Sequence, residues 1–261
     1  MDRYEIIWKF PKCNVYIAKD LRLGDRVIYK MTSRREVEVV NELLQKVPEI
    51  MPSIRDSLYD EKRKVGYIIM ELCAGDLTKL IQKKLSHRDF TKQLMKSLTE
   101  QVLKLHNVGY AHMDLKPENV VNLQSTNQLR LIDFETSTKS QLLNELVGTP
   151  NFIPPEVLKG VDYNPKLVDV WSLGICFIYI ATGKVPWELY SPSQQQLTLM
   201  SQYRKTHPKE PEVHARIATT EQVFFPPSFD PSLIDLLSRM LEVDPQKRLN
   251  LEEISQHVFF R

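Results

Sequence analysis

The sequence has little with which to build a disulfide framework or a zinc site. Its three cysteines, Cys13, Cys73 and Cys176, are scattered and odd in number, which fits neither pattern. A reducing, intracellular setting, cytoplasmic or nuclear, is the expectation. Charge of one sign is also lacking: 35 Lys and Arg against 33 Asp and Glu leave a net charge of +2. Nothing in that balance argues for a nucleic-acid or membrane partner. Long apolar runs are missing as well. The first ten residues, MDRYEIIWKF, do not form a secretory leader. The longest apolar stretch, WSLGICFIYIATG, is too short to span a bilayer and suits a buried core helix. No internal repeat or low-complexity block interrupts the chain. What is present is a 261-residue chain with 42% hydrophobic residues, enough to bury the core of one large domain or of two lobes sharing an interface.

The pattern changes near residue 70. Before it, VYIAKD and RVIYKM are short runs of strand formers separated by the turn signal LRLGD. In REVEVVNELLQKV, Val39, Val40, Leu43, Leu44 and Val47 recur at helical spacing. VGYIIMEL is a strand apolar enough to be buried on both faces, and CAGD is a small connector. After it, FTKQLMKSLTEQVLKLHNVG puts Phe90, Leu94, Leu98, Val102 and Leu105 on one stripe and stops at Gly109. Two short β-like runs, ENVVNL and LRLIDF, flank the polar turn QSTNQ, and further helices follow the Pro154-Pro155 pair. The expected fold is α+β: a small β-rich lobe with one main helix, then a larger helical lobe. Residues 186–231 are expected to be a polar surface segment containing a helix.

One stretch concentrates chemistry. In HMDLKPENVV (112–121), Asp114 can accept a hydroxyl proton, Lys116 can steady a phosphate, and Asn119 can offer an amide oxygen to a metal. Asp133 in LIDFE is a second, charged metal ligand. Mg²⁺ keeps phosphate and water oxygens, so two protein ligands suffice. Lys30 in VIYK stands on a strand from which it can reach α and β phosphates. Phosphoryl transfer asks for this kind of positioning and charge.

These strings together resemble a eukaryotic protein kinase domain of the serine/threonine type. HMDLKPEN is similar to the catalytic loop, LIDF to the metal-binding start of the activation segment, VIYK to the third-strand lysine motif, and GTPNFIPPE to the end of the activation segment. DVWSLG, with Asp169, resembles the start of the central helix, and MLEVDPQKRLNLEEISQHVFF the closing helices. The match covers nearly the whole chain, and its motifs stand in the family's order. The resemblance implies a bilobal fold with an N-lobe over 1–71, a hinge over 72–75 and a C-lobe over 76–261. It implies ATP with Mg²⁺ or Mn²⁺ as cofactors and a protein substrate. Lys116 with Gly148-Thr149 favours serine or threonine as acceptor. Met70 would be the gatekeeper, Glu71 and Cys73 would offer backbone hydrogen bonds to adenine, and Val15, Ile28 and Val121 would join the nucleotide-binding set. Asp169 would hold the catalytic-loop backbone, and Arg248 would pair with Glu156.

The chain also departs from that family. The three glycine positions of the glycine-rich loop fall on Trp8, Phe10 and Cys13, so side chains stand where phosphates usually approach bare backbone. Ile28 replaces a smaller residue and should crowd the adenine pocket. Glu135 replaces the glycine after Asp133-Phe134, which would stiffen this switch segment and adds negative charge near the metal. Met113 replaces the arginine that usually receives an activation-loop phosphate, although Ser137, Thr138 and Ser140 remain modifiable. The acidic partner of Lys30 is Glu36 or Glu42; the helical pattern favours the first and the distance to IIMEL the second. His112 is expected to pack rather than act as a base, and Arg34 and Arg35 to be solvated at a helix start. Trp8 and Phe10 are expected to be hydrophobic cover rather than a base-stacking platform. Two functions compete: a serine/threonine kinase with an atypical nucleotide cover, or a pseudokinase acting as a binding or allosteric module, in which Asp114, Lys116, Asn119 and Asp133 are only a polar network. A small-molecule kinase has less support, because GTPNFIPPE resembles a peptide-positioning platform.

Overall fold

The computed structural model describes residues 3–11, 13–84, 88–124, 128–189, 201–202, 205, 225 and 229–261. Its first seventy residues alternate in hydrophobicity and form five antiparallel strands: β1 (Tyr4–Lys9), β2 (Val15–Asp20), β3 (Arg26–Thr32), β4 (Ile54–Asp60) and β5 (Val65–Glu71). They line up in the order β1-β2-β3-β5-β4. Because side chains alternate across a strand, the sheet has two distinct faces. On one, Ala18, Val27, Tyr29, Tyr67 and Ile69 form a small core of their own. On the other, the register sets Val15 opposite Lys30, Ile17 opposite Ile28, and Ile28 opposite Met70. Val15, Ile28, Lys30 and Met70 therefore share a face, the one directed at the rest of the molecule. A register shift in β1 between Ile6 and Trp8 sets Trp8 opposite Ile17 and so on this same face.

The helix expected between β3 and β4 is α1 (Arg34–Lys46). Ser33 caps it, its hydroxyl accepting from the Glu36 N–H at 3.2 Å. Val37, Val39, Val40 and Leu43 are buried, each worth about 1.5–3 kcal/mol of transfer free energy. Gly66 lets β5 come close: a Cβ there would stand 2.6 Å from the Ser33 carbonyl and 2.6 Å from Val37. That contact fixes the start of α1 against the sheet.

Residues 72–74 lead to the second lobe, where Gly75 already pairs with Asn122. This lobe carries a small sheet, β6 (Gly75–Asp76), β7 (Val120–Asn122) and β8 (Leu129–Leu131), in the order β6-β7-β8. Its described helices are α2 (Leu77–Lys84), α3 (Arg88–Asn107), α4 (Pro155–Leu158), α5 (Pro165–Thr182), α6 (Pro186–Leu189), α7 (Pro231–Met240) and α8 (Leu251–Ser255). Along α3, Leu94, Leu98, Val102 and Leu105 are buried and Phe90 half-buried, as the stripe implies. At the centre lies α5, with Trp171, Leu173, Ile175 and Phe177 at 0% exposure. It is longer than its apolar stretch suggested. By length and composition its 18 residues are enough to cross a membrane, which corrects the expectation of a run too short to span, yet 72% of them are buried within the protein. It is a core helix, as expected. Most of the polar segment expected over 186–231 lies outside the described residues; α6 falls at its start.

Candidate functional site

The central helix delivers the first piece of the site. Asp169 on α5 is fully buried. Its carboxylate accepts the backbone N–H groups of His112 at 2.7 Å and Met113 at 2.9 Å, and lies 2.8 Å from His106 Nε2. Met113 sits at φ +70°, a left-handed conformation costly for a side-chain-bearing residue. The two bonds from Asp169 hold the chain in that turn. His112 is packed, as expected: it is fully buried, its Nε2 lies 3.1 Å from the Ile132 carbonyl, and its ring meets Phe134 at 5.3 Å.

The turn presents Asp114, and three side chains converge on its carboxylate. Lys116 Nζ donates at 2.7 Å, the Thr149 hydroxyl at 2.6 Å and the Asn119 amide nitrogen at 3.1 Å. Lys116 also donates to the Thr149 hydroxyl at 2.7 Å. Thr149 can come this close because Gly148, at φ +106°, carries no side chain. A Cβ there would stand 2.7 Å from Ile153 and 2.9 Å from the Met113 carbonyl. The Asn119 amide nitrogen further binds the Asp114 carbonyl at 2.8 Å, which commits the nitrogen and leaves the amide oxygen for a cation.

Asp133 follows β8, itself at φ +67°. It accepts from Lys30 Nζ at 2.6 Å, and Lys30 also donates to Glu36 at 2.7 Å. The Glu36 carboxylate is 1% exposed and accepts the Phe134 N–H at 3.0 Å as well. One carboxylate on α1 thus ties the strand lysine to the loop bearing Asp133. Burial works against the Lys30 ammonium, but Glu36 and Asp133 outweigh it and push its pKa up. Burial alone would raise the Asp133 carboxyl; Lys30 more than offsets this and holds it below the usual carboxylate range. Both groups are charged at neutral pH.

These positions answer the open question about Lys30: Glu36 is its partner. Glu42 binds Lys46 at 2.6 Å, Lys139 at 2.5 Å and the Tyr110 hydroxyl at 2.8 Å, and those contacts lower its pKa to about 2, Lys139 first among them. Arg248 and Glu156 pair as expected, both buried, through contacts of 2.5 and 2.7 Å. Around the nucleotide side, Val15 and Ile28 are half-buried, and Val121 and Met70 buried. Glu71 spends its N–H on the Ser53 carbonyl at 2.9 Å, and the half-buried Cys73 thiol is pushed up to about 12 by its surroundings, burial above all. Trp8 and Phe10 pack edge-to-face on one another at 4.4 Å, with Trp8 47% exposed.

Three expectations need correction. Ser137 is 1% exposed, its hydroxyl 3.3 Å from the His112 carbonyl, so it is a buried strut and not a surface acceptor. Arg35 is not merely solvated; it donates to the Ser137 carbonyl at 3.0 Å, while Arg34 binds Glu61 at 2.6 Å and covers the Tyr59 ring. Glu135 does not simply add charge near Asp133. Its carboxylate accepts from the Ser33 hydroxyl at 2.9 Å and lies 3.0 Å from the Thr32 hydroxyl, whose closer partner is Glu36, at the start of α1. No sequence signal pointed to that contact.

The residues present suit a divalent cation with few protein ligands. Asn119 offers a neutral amide oxygen and Asp133 a charged carboxylate, the oxygen donors Mg²⁺ accepts beside phosphate and water. Among the described residues there is no group of three or more His, Cys, Asp or Glu that could hold a metal by itself.

The family model described as protein kinase domain matches residues 10–260. CBL-interacting protein kinase 26 of Oryza sativa subsp. japonica is 29% identical over 279 residues, covering 100% of this chain and 52% of that protein. Calcium-dependent protein kinase 7 of Arabidopsis thaliana is 31% identical, covering 94% of this chain and 45% of that protein. The phosphorylase b kinase gamma catalytic chain, liver/testis isoform, of Bos taurus is 32% identical, covering 87% and 54%. The chain spans about half the length of these curated relatives.

Proposed function

The chain belongs to the protein kinase domain family, and from that premise we propose that it is a serine/threonine protein kinase, transferring the γ-phosphate of ATP to hydroxyls of a protein substrate. One observation carries this reading: the two halves of a phosphoryl-transfer site are assembled at once. Lys30, Glu36 and Asp133 are joined at one end, and Asp114, Lys116 and Thr149 at the other. In the proposed reaction Asp114 takes the proton of the acceptor hydroxyl, the oxygen bonds to the γ-phosphorus, and ADP leaves. Lys116 balances charge on the γ-phosphate and Lys30 on the α and β phosphates. Asn119 and Asp133 would hold Mg²⁺ or Mn²⁺, which supplies charge neutralisation at the phosphates. Val15, Ile28 and Val121, with the backbone of Glu71 and Cys73, would surround the adenine.

The serine/threonine preference draws support from the Lys116–Thr149 contact, and one relative's name, CBL-interacting serine/threonine-protein kinase 5 of Arabidopsis thaliana, carries the same acceptor class. We read residues 1–261 as a single kinase domain, with lobes over 1–71 and 76–261 joined by a hinge at 72–75. All three cysteines are unpaired, which supports an intracellular setting. The pseudokinase alternative rests on Trp8, Phe10 and Cys13 in place of glycines, on Ile28 and on Glu135.

The test is phosphoamino-acid analysis after incubation with ATP, Mg²⁺ and a mixture of peptides bearing Ser, Thr or Tyr. Phosphoserine and phosphothreonine that vanish in Asp114→Asn are expected. Transfer confined to tyrosine or to small molecules would overturn the assignment of acceptor.

A further inference from the structure

Lys30 keeps Glu36 as a partner only while α1 holds its place, because α1 carries Glu36. The start of α1 is tied to the segment after Asp133 by contacts between residues about a hundred positions apart. The Glu36 carboxylate accepts the Phe134 N–H at 3.0 Å. Arg35 reaches the Ser137 carbonyl at 3.0 Å. Further along α1, Glu42 binds Lys139 at 2.5 Å. Glu135 closes this seam. Its carboxylate accepts from the Ser33 hydroxyl at 2.9 Å while that same oxygen accepts the Glu36 N–H at 3.2 Å. The Thr32 hydroxyl lies between the carboxylates of Glu36 and Glu135 and touches both. A negative charge at this helix end is also favoured by the helix dipole.

We infer that Glu135 is a positioning residue for phosphoryl transfer: by accepting the Ser33 hydroxyl, beside Thr32, it holds α1 so that Glu36 keeps Lys30 beside Asp133. A glycine at this position would have no side chain with which to do so. Met113 is 1% exposed and carries no charge with which to hold this segment. The segment from 134 to 139 is held on one side by the Ala111–Thr138 backbone pair and the hydroxyls of Thr136 and Ser137 on the His112 carbonyl, and on the other from α1, where Glu135 is its contact with the helix cap itself. The role in transfer rests on the kinase reading; the grip on α1 stands on these contacts alone.

The test combines activity with a readout that needs no activity. Wild type, Glu135→Ala, Glu135→Gln, Ser33→Asp and Ser33→Asp/Glu135→Gln are compared. Glutamine keeps an acceptor oxygen and adds an N–H₂. Aspartate at 33 keeps a helix cap but loses the hydroxyl donor and sets a like charge against Glu135. Loss of one charge-assisted hydrogen bond predicts about a tenfold fall in kcat/KM for ATP in Glu135→Ala. Glu135→Gln should lie near wild type. Ser33→Asp should fall as Glu135→Ala does, and adding Glu135→Gln should restore it, because the amide can donate to Asp at 33. Hydrogen exchange at the N–H groups of Glu36, Val37 and Phe134 should rise and recover in the same order. Unchanged exchange in Glu135→Ala, or no restoration in the double variant, would overturn the inference. Absence of transfer in wild type with the exchange pattern intact would instead overturn the kinase reading and leave the grip standing.

Discussion

Replacing Thr149 by Val tests the catalytic half of the site most cleanly. The two side chains have the same shape, so the change removes one hydroxyl and little else. That hydroxyl donates to Asp114 at 2.6 Å and accepts from Lys116 at 2.7 Å. Hydrogen bonds to charged groups contribute about 1.5–3 kcal/mol each. The two losses do not add, because Lys116 and Asp114 stay in contact at 2.7 Å and Asn119 still binds Asp114 at 3.1 Å. A net loss of about 1.5–3 kcal/mol in the transition state corresponds to roughly a ten- to 150-fold fall in kcat. The KM for ATP should barely move, since Thr149 touches neither Lys30 nor Asp133. Steady-state kinetics with ATP and peptide varied separately would measure both, and Thr149→Ser should recover most of the loss. A fall in kcat below threefold, or a loss expressed mainly in the KM for ATP, would refute the reasoning.

Other consequences follow from the same contacts. Glu156→Gln leaves the buried Arg248 guanidinium without its charge partner and should cost about 3–5 kcal/mol in urea unfolding; a loss under 1 kcal/mol would show that the pair is not needed. Gly148→Ala forces a side chain into a 2.7–2.9 Å gap at φ +106°, so transfer should collapse while ATP affinity, set at the far end of the site, changes little; retained transfer would contradict the placement of Thr149. The depressed Asp133 pKa gives a pH dependence of known sign. Its contribution is complete above the ordinary aspartate value of about 3.9 and disappears as pH falls through the lower folded value. The raised Lys30 pKa acts in the opposite sense, complete below about 10.4 and lost as pH rises beyond it. The urea midpoints of wild type and Asp133→Asn should therefore keep a constant gap from about pH 5 to 9 and converge in acid; a gap that changes near pH 7 would place another group in control.

The catalytic loop was legible in the sequence because its chemistry lies within eight residues, Asp114 to Val121, and the fold must present them together. The strands and long helices were legible from periodicity, and α3 obeyed its stripe almost residue for residue. The partner of Lys30 was not. Glu36 and Glu42 both lie on α1, and the choice depends on how the helix sits against Gly66 and Phe134, which no local pattern encodes. The partners of Glu135 were hidden for the same reason: a stiffer segment was legible from a side chain in place of glycine, but Thr32 and Ser33 are distant in sequence and no local pattern names them. Ser137 looked modifiable because composition says nothing of burial. The membrane-length estimate failed by counting only the unbroken apolar letters, whereas α5 begins at Pro165, six residues before Trp171, and includes Asp169, whose charge is satisfied within the protein.

The nucleotide cover is where sequence and site pull apart. The positions that would be glycines carry Trp8, Phe10 and Cys13, yet the lysines, carboxylates and amide proposed to handle phosphate and metal stand in mutual contact. Labelled γ-phosphate transfer from ATP in the presence of Mg²⁺ or Mn²⁺, onto the protein itself and onto a generic basic protein, with wild type beside Asp114→Asn, tests this most directly. Transfer by wild type that is lost in Asp114→Asn is the predicted result. Equal transfer by both, or none by wild type with every acceptor and metal supplied, would contradict the account.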